Sequence, residues 1–159
     1  MSTFNSLRVL ELKVSPPIVG LVMGGFAWLA TKAAPSLGFN LPHWKVIGSA
    51  LCVAGVSIAA LGVASFRRAK TTLNPMKPEK ASALVNSGIY QYTRNPMYLG
   101  ILLVLLGWAV FMSNALAFVF LPVFVLYLNR FQIGPEERAL GSAFGQEFAA
   151  YKAKVRRWL

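Results

Sequence analysis

The sequence contains no aspartate, and its only acids are Glu11, Glu79, Glu136, Glu137 and Glu147. None falls inside a long apolar run, which argues against a proton-coupled transporter, because such proteins need ionisable groups near the bilayer midplane. Cys52 is the single cysteine and His43 the single histidine. Counting alone therefore excludes an intramolecular disulfide and a Cys/His metal cluster. There is no polar stretch of the roughly 50 residues that a separate soluble domain would need. The start, "MSTFNSLRVLELKVSPP", lacks an apolar core followed by a small-residue cleavage site, so no cleavable signal peptide is expected. Internal repeats and low-complexity tracts are absent as well. The formal charge of +11 would suggest nucleic acid in a soluble protein, yet no DNA or RNA module signature accompanies it, and no nucleic-acid partner is expected.

What fills the 159 residues is hydrocarbon: 56% are hydrophobic and 13% charged, against roughly 25% charged in a typical soluble domain. Four apolar segments run over about 14–34, 46–66, 97–113 and 115–133. Residues 46–66 are free of charge, and about 20 helical residues cross a bilayer core of roughly 30 Å. The pattern predicts an all-α integral membrane protein, a single domain over 1–159 with about four transmembrane helices. Pro16 and Pro17 open the first segment, where missing donors are tolerated, and Lys32 near its end can snorkel to the interface. Gly48, Gly55 and Gly62 recur every seven residues in the second, nearly on one face, and read as a packing stripe that lets another helix approach. Ser113-Asn114 alone separates the third and fourth segments, the mark of a helical hairpin. Pro122 is expected to kink the fourth helix, and Asn129 and Arg130 stand where it leaves the hydrocarbon or lines a polar cavity.

Loop charges predict orientation. Residues 67–96 hold Arg67, Arg68, Lys70, Lys77, Lys80 and Arg94 against Glu79, whereas the joint at 113–114 has no charge. That loop is therefore expected in the cytoplasm, with both termini on the same side, and the basic tail agrees. Basic residues at the ends of apolar segments also suit anionic membrane lipids. After Pro135, Leu140, Phe144, Phe148, Tyr151, Val155 and Leu159 follow a helical period, predicting an amphipathic cytoplasmic helix over 136–158 that lies on the membrane surface or over the protein's own mouth. Pro135, Glu136 and Glu137 favour a helix start there.

Residues with useful chemistry gather in three stretches on that side: "TTLNPMKPEKASALVNSG", "GIYQYTRNPMYLG" and "NRFQIGPEERALGSAFGQEFAAYK". Structural roles are open to all of them. Tyr90, Tyr92 and Tyr98 suit an interfacial aromatic belt, Arg94 a lipid phosphate, Asn95 a helix cap and Pro96 a first helical position. A helix N-terminus nevertheless offers free N–H groups to a bound carboxylate. Gly134-Pro135 implies a turn that returns Glu136 and Glu137 to the membrane face near Arg94.

"GIYQYTRNPMYLG" resembles the Gly-x-Tyr-x-x-x-Arg-His/Asn-Pro-x-Tyr-x-Gly signature of the isoprenylcysteine carboxyl methyltransferase and phospholipid methyltransferase superfamily. "EERALGSAFGQEFAAYKAKVRRWL" is similar to its Glu-Glu-x-x-Leu-x-x-x-Phe-Gly tail, and "TTLNPMKPEKASALVNSG" to the Thr-x-x-x-Pro and Leu-Val-x-x-Gly segment of bacterial members. The likeness covers about 44–159. It implies an integral membrane methyltransferase, in the cell inner membrane if the chain is bacterial. S-adenosyl-L-methionine would be the cofactor, S-adenosyl-L-homocysteine the product, and a lipophilic small molecule or lipid the acceptor. The implied cofactor-binding residues are Leu84, Val85, Gly88, Tyr90, Arg94, Asn95, Pro96, Tyr98 and Glu136. Arg94 or the helix entrance would take the methionine carboxylate, Tyr90 and Tyr98 would face adenine or the sulfonium through their π systems, and a glutamate would take the amino group or ribose. Arg130, Gln132 and Glu137 are the implied catalytic candidates. The chain departs from the prenylcysteine enzymes at Asn95, where they carry histidine, and at Gln132, where they carry the arginine that holds the substrate carboxylate. A membrane reductase of the sterol-reductase type using NADPH, or a lipid-binding scaffold without catalysis, are the alternative readings.

Overall fold

The structure, a computed structural model, describes residues 11–70 and 82–159. Part of the expected loop 67–96 and of "TTLNPMKPEKASALVNSG" lies outside them. The described residues are helical, with one isolated β-bridge between Gly38 and Asn114. Helix α1 spans Pro16–Ala33, α2 Trp44–Arg68, α3 Pro96–Met112, α4 Ala115–Leu128 and α5 Gly134–Lys154. A short 3₁₀ turn, Gly88–Gln91, precedes α3, and a π-helical turn, Asn129–Ile133, joins α4 to α5.

Two helical runs are long and apolar enough to cross a membrane: α2, and the continuous stretch from Ala115 to Lys154. The apolar part of the latter ends at Ile133. Helix α3 is shorter at 17 residues, a rise of about 25 Å.

Helix α3 sits at the centre, with α2 on one flank and α1 and α4 on the other. Small residues make the α2–α3 contact. A Cβ added at Gly55 would lie 2.5 Å from the carbonyl oxygen of Gly100, and one at Gly107 would lie 2.6 Å from Cys52 Sγ. The backbones thus touch, which maximises dispersion where lipid removes the hydrophobic drive for helix association. Gly48, Gly55 and Gly62 are the buried residues of α2, so the stripe is the packing surface its spacing predicts. On the other flank, Phe124 and Leu128 of α4 are fully buried against Val19, Tyr98 and Leu105.

The hairpin turns at Ser113, which is left-handed, and at Asn114, whose Oδ1 accepts from Leu116 N at 3.0 Å. Asn114 Nδ2 also donates to Ala34 O at 2.9 Å, and Phe39 N donates to Ser113 O at 2.8 Å. Buried Asn114 therefore fastens the loop after α1 to the hairpin.

Two expectations need correction. Gly134-Pro135 does not form a turn: Gly134 is right-handed helical (φ −57°, ψ −51°), and its N–H donates to Asn129 O, five residues back. The π turn admits the proline ring without breaking the run. Pro135 has no N–H for Phe131 O, and that carbonyl accepts instead from Leu12 N at 3.0 Å. Nor does a single helix occupy 136–158. Gly145 (φ 49°, ψ −118°) breaks the run in a conformation open to glycine, and Val155 is extended (φ −120°, ψ 132°). Leu140, Phe144, Phe148, Tyr151 and Val155 still pack together, with Leu84, whereas Leu159 is exposed.

Candidate active site

At the end of the bundle where α3 begins, the extended tail after Lys154 crosses the approach to that helix. Arg94 N donates to Arg156 O at 3.0 Å, and Asn95 Nδ2 donates to Arg157 O at 2.8 Å. Thr93, buried, directs its hydroxyl to the same Arg157 carbonyl at 3.4 Å. Asn95 occupies the N-cap position of α3, but its side chain makes no cap hydrogen bond. The tail carbonyl has taken its amide instead, which corrects the capping role expected for that side chain. Pro96 stands at the first helical position as expected.

Glu137 lies at the centre of a cationic cluster. Arg157 grips it side-on, Nε to Oε1 at 3.0 Å and Nη2 to Oε2 at 2.7 Å. Arg94 Nη2 reaches Oε1 at 3.1 Å, and Lys152 Nζ stands 3.7 Å from Oε2. Burial opposes ionisation of this carboxyl. The Arg157 hydrogen bonds and the charges of Arg94, Arg157 and Lys152 outweigh it and hold Glu137 below the usual carboxylate range. Arg157 is in turn pushed up, chiefly by its bond to Glu137. Three cations facing one carboxylate leave the cluster with surplus positive charge. Arg94 is 11% exposed, and its Nε and Nη1 are buried with no hydrogen-bond partner among the described residues. Such donors are costly to bury unpaired.

One residue earlier, Glu136 faces inward. Tyr98 donates its phenol hydrogen bond to Glu136 Oε1, and Gln132 Nε2 donates to the same oxygen at 2.6 Å. Burial pushes this carboxyl up to about 7, against the lowering effect of those two bonds. Glu136 therefore exchanges its proton near neutrality, while its neighbour Glu137 stays ionised.

Tyr90 is buried with its ring edge-on to Phe66, centroids 5.5 Å apart. Its carbonyl accepts from Tyr151 Oη at 2.7 Å. Burial, then the charges of Tyr151 and Glu136, push the Tyr90 phenol well up. Burial likewise raises Tyr151 to about 12. Val85 is buried, Leu84 packs on the Phe148 cluster, and Gly88 is exposed. Beside Glu137 and Lys152, the Gly145 break opens a hollow of about 410 Å³ bordered by Gly141, Phe148 and Ala149.

Arg94, Tyr98, Gln132, Glu136 and Glu137 are thus brought together, with Tyr90 beside them. Arg130 is not. Its Nη1 pairs with Glu11 Oε1 at 2.6 Å, and Glu11 also binds Arg138. Arg157, Lys152 and Tyr151, which the sequence places only in the basic amphipathic tail, join the cluster, as does Asn129, expected at the end of the fourth helix or in a polar cavity. Asn129 Oδ1 accepts from Trp158 Nε1 at 3.1 Å and from Arg157 Nη1 at 3.4 Å. The cations of the tail looked like an interfacial face, and only the scarcity of acids hinted that several of them share Glu137.

The sequence pattern of the phospholipid methyltransferase family matches residues 44–147. An "Uncharacterized protein" of Haemophilus influenzae is 51% identical over 63 residues, 40% of this chain and 100% of that protein. Protein-S-isoprenylcysteine O-methyltransferase B of Arabidopsis thaliana is 27% identical over 115 residues, 71% of this chain and 58% of its own. Protein-S-isoprenylcysteine O-methyltransferase of Schizosaccharomyces pombe is 38% identical over 123 residues, 76% of this chain and 46% of its own. The chain spans about half the length of these last two relatives. No solved structure matches it. The matched region runs from the start of α2 through both glutamates of the cluster, and the chain belongs to the phospholipid methyltransferase family.

Proposed function

We propose that this chain is an integral membrane methyltransferase that uses S-adenosyl-L-methionine to methylate a lipophilic or membrane-associated acceptor at the cytoplasmic face, releasing S-adenosyl-L-homocysteine. Helices α1 to α4 cross the bilayer in this reading, with α4 extended by the π turn. The loop after α2 and the tail then share the cytoplasmic side, following the placement of Lys and Arg.

The observation that carries the reading is Arg94, paired with Glu137 but with two buried donors unpartnered, while Glu136, one residue along the chain from Glu137, faces inward. Arg94 keeps buried, unpartnered donors on Nε and Nη1, and either can meet a carboxylate oxygen. Glu136, near 7, fits an ammonium group. Together they complement the two charges of an amino-acid moiety such as the methionine end of the cofactor. When bound, S-adenosyl-L-methionine supplies an activated methyl group on a sulfonium centre. Tyr98 and Gln132 orient Glu136, and Leu84, Val85, Gly88, Tyr90, Asn95 and Pro96 complete the proposed surround. Much of the contribution of these residues would be alignment in a water-poor mouth. Arg130 is committed to Glu11 and is left out of the proposed acceptor site.

The test is transfer of a labelled methyl group into a membrane extract by the purified protein, with identification of the labelled product. Titration with S-adenosyl-L-homocysteine and NADPH accompanies it. Binding of the former and a labelled lipophilic product are expected; NADPH binding alone would turn the reading to a reductase, and binding of neither to a scaffold.

A further inference from the structure

The tail holds the candidate site in two separable ways. Its main chain carries one of them: Arg156 O and Arg157 O accept from Arg94 N and Asn95 Nδ2. The Arg157 side chain carries the other, and it touches neither Arg94 nor the inner glutamate by any hydrogen bond among the described residues. It occupies Glu137 instead, one guanidinium nitrogen on each carboxylate oxygen, at 3.0 and 2.7 Å. Side-on pairing of this kind is among the stronger and more directional hydrogen-bonded contacts a carboxylate makes with a side-chain cation.

The geometry has a consequence for Arg94. Glu137 is the only acid that the structure pairs with Arg94 among the described residues, through Nη2 at 3.1 Å. Were both oxygens of Glu137 free, the Arg94 guanidinium could take them side-on through Nε and Nη2, and its Nε donor would be spent within the protein. Arg157 occupies that position first. Arg94 is left with a single contact and with Nε and Nη1 unpartnered and buried. The surplus of cations over Glu137 adds an electrostatic preference for an incoming anion.

We propose that Arg157 is a positioning residue: by saturating Glu137 it keeps Arg94 available to bind the carboxylate of the ligand's amino-acid end. The inference rests on the cofactor reading above and adds to it the residue that prevents an internal ion pair from competing with the ligand. Arg157 acts on the carboxylate subsite alone, so a ligand lacking that group should be indifferent to it.

Full-length protein in detergent is titrated with S-adenosyl-L-homocysteine and with its decarboxylated analogue, which keeps the amine and the adenosine. Arg157→Gln is expected to weaken S-adenosyl-L-homocysteine by about tenfold while leaving the analogue within about twofold. Arg94→Gln should erase the wild-type preference for the carboxylated ligand, and Arg157→Gln added to it should cost nothing further. Arg157→Lys, which retains one charged contact, should restore part of the lost affinity; it also carries the test if the glutamine variant fails to fold. Equal losses for both ligands, or no loss for either, in a protein whose wild type binds S-adenosyl-L-homocysteine would overturn the positioning role and leave the cofactor reading standing. A wild type that does not bind S-adenosyl-L-homocysteine would sink both.

Discussion

The phenol of Tyr98, in the first turn of α3, donates to the same carboxylate oxygen of Glu136 that accepts from Gln132 at 2.6 Å. Burial raises this carboxyl from 4.5 to about 7. In the unfolded chain it ionises lower, so the folded state binds the extra proton between those values. Its contribution to stability is therefore full below about 4.5 and lost as pH rises through about 7. Thermal unfolding of the detergent-solubilised protein should show stability falling across that window by up to about 3 kcal/mol. Glu136→Gln should lack this part of the slope; an identical slope in the variant would refute the assignment.

Tyr98→Phe removes one of the two bonds that favour the ionised carboxylate. The pH midpoint for binding S-adenosyl-L-homocysteine should move upward from near 7, with weaker binding at neutral pH and recovery at higher pH. A loss of affinity that is uniform with pH would instead mark Tyr98 as a packing residue.

Glu137→Gln strands Arg94, Arg157 and Lys152 together without their shared counter-charge. The expected loss of stability is about 1–3 kcal/mol, because removing one partner leaves partly buried charge unpaired. It should be larger at low salt than at high, since the residual repulsion is screened. Denaturation midpoints measured at two ionic strengths decide it.

Gly55→Val should destabilise by about 1–3 kcal/mol through overpacking. The Cβ alone would stand 2.5 Å from a backbone oxygen of α3, and backbone cannot rotate away as a side chain can. The same substitution at Gly25, where a Cβ meets nothing within 4 Å, serves as the control in a thermal melt.

Asn114→Ala removes both the α4 cap and the tie to Ala34. A loss of about 1–2 kcal/mol is expected, with S-adenosyl-L-homocysteine affinity retained, since Asn114 lies at the other end of α3 from Arg94. Comparison of melting and ligand titration separates the two effects.

Much of the helical frame is legible in the sequence. Uninterrupted hydrocarbon in 46–66, a seven-residue glycine repeat and the two polar residues at 113–114 are local signals, and each concerns neighbours on one helix or one turn. The sequence also places Arg94 near Glu137, but by a route the fold does not take. Gly134-Pro135 reads locally as a turn, whereas the helix runs on through a π turn, and Leu12 takes the carbonyl that Pro135 cannot satisfy. No local pattern reveals that a residue more than a hundred positions away will supply the missing donor.

Sequence by itself determined which segments are apolar, where glycine permits close contact, and which end of the molecule gathers its charge, because periodicity and composition act over a few residues. Tertiary structure alone decided the pairing of those charges. The break at Gly145 and the extended Val155 bring Arg157 back over α3 to grip Glu137, and Arg130, which looked equally suited, turns away to Glu11. A cation goes to whichever carboxylate the fold brings within reach, and in a chain this poor in acids that choice determines which arginine keeps donors unpartnered.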